Sequence, residues 1–89
     1  MGVKMFEYLR LADDTQVSYS EPREDGTVLV CVEQPIEMGF NSAWCILPAC
    51  KWLQTEGFSP EQLRWYEQFV RNNAPVIMNF AWEGGFAHA

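Results

Sequence analysis

Ser59-Pro60-Glu61-Gln62-Leu63-Arg64-Trp65-Tyr66 opens the stretch that decides the fold, a segment running from 59 to 83. Ser59 is placed to cap a helix, its hydroxyl accepting from an otherwise unpaired backbone N–H, and Gln62 can reach back to close a capping box. Pro60 suits the first helical position, where a missing N–H costs nothing, and Glu61 suits the positive end of the helix dipole. Gly84-Gly85 then supplies residues able to take positive φ and stop the helix. Between these signals Leu63, Tyr66, Val70, Ala74, Ile77 and Ala81 recur at helical spacing as one apolar stripe, with Met78 off to one side. A second row, Trp65, Phe69, Val76 and Phe80, runs about a quarter to a third of a turn away. Arg64, Glu67, Gln68 and Arg71 cover the remaining face.

Pro75 interrupts this segment. Inside a helix it removes the bond to the Arg71 carbonyl and crowds that turn, at ~3 kcal/mol. Both apolar rows keep their angular phase across it, which a loop would have no reason to preserve. The expectation is therefore one long, kinked helix.

Toward the N-terminus the period changes from helical to alternating. Residues 16–21 place Val17 and Tyr19 on one side and Ser18 and Ser20 on the other, a half-buried strand. Glu24-Asp25-Gly26 reads as a hairpin turn, and 27–33 (Thr-Val-Leu-Val-Cys-Val-Glu) as the return strand, apolar on both faces. Pro35 and Gly39 mark 34–41 as a connecting loop. Residues 42–47 form a third strand ended by Pro48, and 49–58 an irregular crossover to the helix cap. Residues 1–12 fit a short helix or an extended arm. The expected fold class is α+β: a three-stranded antiparallel sheet, a short N-terminal helix or arm, and the C-terminal helix across one sheet face.

The chain has 89 residues, enough for one domain that buries roughly 60–65% of its unfolded surface. An apolar fraction of 48% excludes a disordered tail. A net charge of −6, with six scattered basic residues, argues against a nucleic-acid surface, which needs clustered Lys and Arg. No export signal or membrane-spanning run is legible, so neither membrane nor secretion is expected. Cys31, Cys45 and Cys50 are odd in number and unpaired in spacing, as expected for free thiols in a reducing cytoplasm.

The candidates for chemistry are thin. His88 stands alone near the end of the chain, where a catalytic imidazole would be poorly held. Cys45 and Cys50 flank Pro48 without the further ligands a zinc site needs, and Cys31 and Cys45 read as small apolar core residues on neighbouring strands. Asp13-Asp14 reads as a solvated turn whose side chains bond nearby N–H groups. Trp44, Trp52, Trp65 and Trp82 read as core or interface aromatics. No nucleotide, metalloprotease or nucleophile-elbow pattern occurs. Neither catalytic residues, cofactor nor metal is expected.

Leu11-Ala12-Asp13-Asp14-Thr15, the helix entry Gly57-Phe58-Ser59 and Glu83-Gly84-Gly85-Phe86 resemble a group of small uncharacterised bacterial proteins, across most of the chain. That resemblance implies no activity and supplies no catalytic residues; Pro75 is unusual for it. At the level of topology alone the chain is similar to antitoxins of the HicB type, whose N-terminal domain also runs three strands into a capped helix. Thr55-Glu56-Gly57-Phe58-Ser59-Pro60-Glu61 looks like the entry to that helix, but their appended DNA-binding segment has no counterpart here. The similarity implies, at most, an antitoxin-like partner of a basic protein.

One sheet face can bury one helical stripe. The second row and the outer faces of the strands are then surplus, and surplus apolar surface marks an association site. The expectation is a non-enzymatic protein–protein interaction module, a homodimer or a complex with a protein partner, anchored on Trp65, Phe69, Val76 and Phe80. The rival is a small-ligand-binding protein or enzyme with a pocket between arm, sheet and helix near Trp52.

Overall fold

The computed structural model describes residues 4–84. The readings of His88 and of the tail after Gly84 lie outside the described residues. The helix, α1, spans Pro60–Trp82 and begins as its sequence dictates. Ser59 Oγ accepts from the Gln62 N–H at 3.1 Å, and Gln62 Oε1 accepts from the Ser59 N–H at 2.9 Å. Pro75 sits inside this one helix. Tyr66, Val70, Ile77 and Ala81 are buried on both sides of it. Full burial of such side chains contributes about 1.5–3 kcal/mol each, more in sum than the proline takes away. Gly84 ends the segment at φ 91°, its N–H donating to the Ala81 carbonyl at 3.3 Å.

The sheet corrects the sequence reading. Among the described residues it has five strands, not three: β1 (Met5–Arg10), β2 (Gln16–Ser20), β3 (Val28–Ile36), β4 (Gly39–Leu47) and β5 (Lys51–Glu56). They lie in chain order, each antiparallel to the next, so the class remains α+β. The N-terminal arm is the edge strand β1. A register shift between Glu7 and Leu9 breaks its alternation, so that Met5 and Leu9, four residues apart, pair with Ser20 and Val17 on opposite faces of β2. The crossover is the other edge strand, β5, whose residues are exposed except for half-buried Trp52, so no apolar period betrays it. The loop at 34–41 is the continuation of the β3–β4 ladder to a two-residue turn at Glu37-Met38. Pro35 is tolerated there because β2 pairing ends at Gln16↔Glu33, so no neighbour needs its N–H.

Cross-strand partners point to the same side, which divides the sheet cleanly. Val17, Val30, Val32, Ala43 and Cys45 form the core with α1. Thr15 and Ser20 are the buried polar residues among those described. Ser20 Oγ donates to the Glu21 carbonyl at 2.8 Å and accepts from the Leu29 N–H at 2.9 Å. Thr15 Oγ1 lies 3.4 Å from the Tyr66 hydroxyl. Among the described residues, no buried side-chain nitrogen or oxygen lacks a partner. The expected hairpin turn forms at Asp25-Gly26, with Gly26 at φ 86° and Thr27 bonded to Asp25.

Candidate interaction surface

The second helical row is divided by the fold. Phe80 lies 5.9 Å from Tyr8 and 6.4 Å from Tyr19 between ring centroids, and Phe69, three turns earlier on α1, also packs against the core. Both are half-buried. Trp65 and Val76 remain 56% and 43% exposed. Trp65 stacks on Phe69 with centroids 5.7 Å apart and planes 9° from parallel. Its edge also meets Tyr66 at 5.3 Å. This flank of α1 is the side that carries Asn73, whose Oδ1 accepts from the Tyr8 hydroxyl at 2.7 Å, so it overhangs β1. Leu9 of that strand is 37% exposed. Two aromatic rings, a valine and a leucine thus lie near the junction of helix and edge strand.

The sheet face away from α1 is the other surplus apolar surface. Ser18, Cys31, Trp44 and Gln54 lie in one row across four strands, and Leu29, Ile46 and Lys51 in the next. Trp44, Leu29 and Ile46 are half-buried by one another and their neighbours, and Cys31 is buried. This face is apolar at its centre and polar at its margins.

Both sheet edges are blunted. β1 is irregular between Glu7 and Leu9, and β5 is irregular opposite Trp44 and Cys45, where Leu53 bulges outward, 53% exposed. Bulges twist an edge away from further pairing.

The remaining candidates resolve into structure. The Thr15 N–H donates to Asp13 Oδ1 at 3.0 Å, and Asp14 takes φ 69°, as a solvated Asp turn requires. Bonds from the Thr15 side chain and backbone lower the Asp13 pKa. Burial pushes the thiols of Cys31 and Cys45 up to about 12, with Glu33 adding to the first and Cys50 to the second. Such thiols are protonated and poorly nucleophilic at neutral pH. The Cys50 thiol points at the Glu67 carbonyl at 3.9 Å, and its pKa is also raised by burial. All three cysteines are free. Among the described residues, no group of three or more His, Cys, Asp or Glu is placed to hold a metal. Trp52, near which the rival reading places its pocket, is half-buried and packs against the core. The concavity at Arg23, Glu24 and Asp25 is polar and open, at the far end of the β2–β3 hairpin.

Among the described residues, no helix is long and apolar enough to cross a membrane. Comparison with protein-family models, with curated proteins and with solved structures finds no match.

Proposed function

We propose that this chain is a non-enzymatic protein–protein interaction module that acts as a homodimer, joined through the α1 flank that overhangs β1. The observation that carries the reading is the exposed Trp65, stacked on Phe69 and followed along the same flank by Val76. Aromatic side chains on a rigid helix are efficient interface anchors, because they bring large apolar area and lose little conformational freedom. Two such flanks meeting about a two-fold axis bury each other's surplus apolar surface. Phe69 and Phe80 serve as the packed floor on which the exposed pair stands. A cytoplasmic location belongs to the same reading, supported by three free thiols. The net charge of −6 supports a protein partner over nucleic acid.

Light scattering across a dilution series tests the reading. The native chain is expected to run as a dimer that dissociates on dilution. Trp65→Lys and Val76→Lys, both at exposed positions, are expected to stay folded and run as monomers. A native chain that is monomeric at every concentration overturns the proposal.

A further inference from the structure

The β3–β4 hairpin reaches beyond the rest of the sheet. Pairing with β2 stops at Glu33 and pairing with β5 stops at Ser42, yet Gln34↔Asn41, Pro35↔Phe40 and Ile36↔Gly39 continue the ladder. Three rungs at about 3.3 Å per residue carry the tip roughly 10 Å past its neighbours. The tip is apolar where a free turn is usually polar: Ile36 is 48% exposed, Phe40 60% and Met38 93%. Ile36 and Phe40 stand on successive rungs and so emerge on opposite faces of the hairpin, with Met38 at the turn between them, which makes the end of the protrusion apolar on both faces.

This protrusion is braced. Gln34 Nε2 donates to Asp13 Oδ2 at 3.0 Å, and Asn41 Nδ2 donates to Gln34 Oε1 at 3.1 Å, tying the hairpin's base to the β1–β2 turn. On the other side Asn41 packs against the backbone of Gly57. A tip held in place before binding loses less freedom on docking than a loose loop.

The charge around the tip selects the occupant. Glu37 lies in the turn itself, and the same end of the molecule carries Asp13, Asp14, Glu56 and Glu61. Arg10, which pairs with Glu7, and Arg64 are the cations nearest this end in the chain order of the elements. A second copy docking here would oppose like charges, and an anionic lipid surface would be repelled. We propose that the β3–β4 tip inserts Met38 and Phe40 into an apolar cleft of a basic protein, with the surrounding carboxylates setting orientation and on-rate. This surface is separate from the α1 flank, so one chain can self-associate and hold the basic partner together.

The tagged native chain and its Met38→Glu and Phe40→Glu variants are used to capture protein from the lysate of the encoding cell. Captured proteins are identified, and each candidate is purified and titrated. The expected result is an identified partner of pI above about 9, bound about ten-fold or more weakly by either variant. Its affinity falls as salt is raised, and Met38 of the native chain is protected from peroxide in the complex. A partner that binds the variants equally, unchanged Met38 oxidation in the complex, or no tip-dependent capture overturns the proposal. Binding to phosphatidylcholine vesicles that Met38→Glu abolishes would assign the tip to lipid and equally overturn it. Both variants are expected to leave the oligomeric state unchanged, so this inference and the dimer reading fail separately.

Discussion

Tyr8 and Asn73, 65 residues apart in sequence, are joined by a 2.7 Å hydrogen bond that fastens the edge strand β1 to the middle of α1. Asn73 is held for this purpose, because its Nδ2 donates to the Phe69 carbonyl at 2.8 Å. The bond lies two residues before Pro75, on the flank that carries Phe69 and Phe80.

Tyr8→Phe keeps the ring and removes the hydroxyl. It is expected to cost on the order of 1 kcal/mol, the net worth of one partly buried hydrogen bond. Urea unfolding reads this as a lower midpoint with unchanged slope. A midpoint equal to the native one would mean that β1 is held by ring packing alone.

Gly57→Ala is expected to be more damaging. Gly57 sits at φ 90°, and an added Cβ would fall on the Asn41 amide. Backbone strain of this kind costs about 1–3 kcal/mol. For a domain of this size that is a Tm loss of roughly 4–8 °C for each kcal/mol. Calorimetry finding less than half that loss would show that Asn41 moves away freely.

Ser59→Ala deletes one half of the capping box at α1 and is expected to cost on the order of 1 kcal/mol. Gln62→Ala removes the reciprocal bond and should act in the same direction, with the pair less than additive because the two bonds share a geometry. An unchanged denaturant midpoint in the serine variant would place the true helix start elsewhere.

Stability should fall in alkali. The thiols of Cys31 and Cys45 are raised by burial from 9.0 to about 12, and Tyr8 and Tyr19 are raised above 10.0 by the same cause. Each group holds its proton more tightly folded than unfolded. Its contribution is therefore complete below the unfolded value and lost as pH rises through the folded one. The unfolding midpoint is expected to hold up to pH 9.0 and to decline from there toward pH 12. A midpoint that climbs across this interval contradicts the burial of these groups. In the same samples, thiol titration should find three free thiols once the chain is unfolded without reductant, and little reaction before.

What the sequence made legible was whatever one local rule controls. The start of α1 needed only the Ser59 cap, Pro60 and Gln62. Val17 and Tyr19 announced β2 because one side of that strand faces the core and the other does not. The two edge strands were hidden for the same reason that they are edges. Each has a single neighbour and a bulge, so Met5–Arg10 lost its alternation and Lys51–Glu56 had almost none to lose. Pro35 and Gly39 looked like the limits of a loop because composition cannot tell whether a third strand lies alongside. The helix row was visible as a row. How far Phe80 sinks between Tyr8 and Tyr19 depends on a strand the sequence did not declare, so the split between packed Phe69 and Phe80 and exposed Trp65 and Val76 needed the tertiary structure.

Because every strand pairs only with its neighbours in the chain, the sheet can zip together hairpin by hairpin as the polypeptide is made. Its cover cannot. Val17, Val30, Val32, Ala43 and Cys45 wait for a single helix that is translated after all five strands. Until residues near Ala81 have left the ribosome, a nascent sheet presents a bare apolar face to the cell, the kind of surface that chaperones hold and that aggregates when they do not. A chain halted within α1 should therefore be a chaperone client even though every strand is already in place.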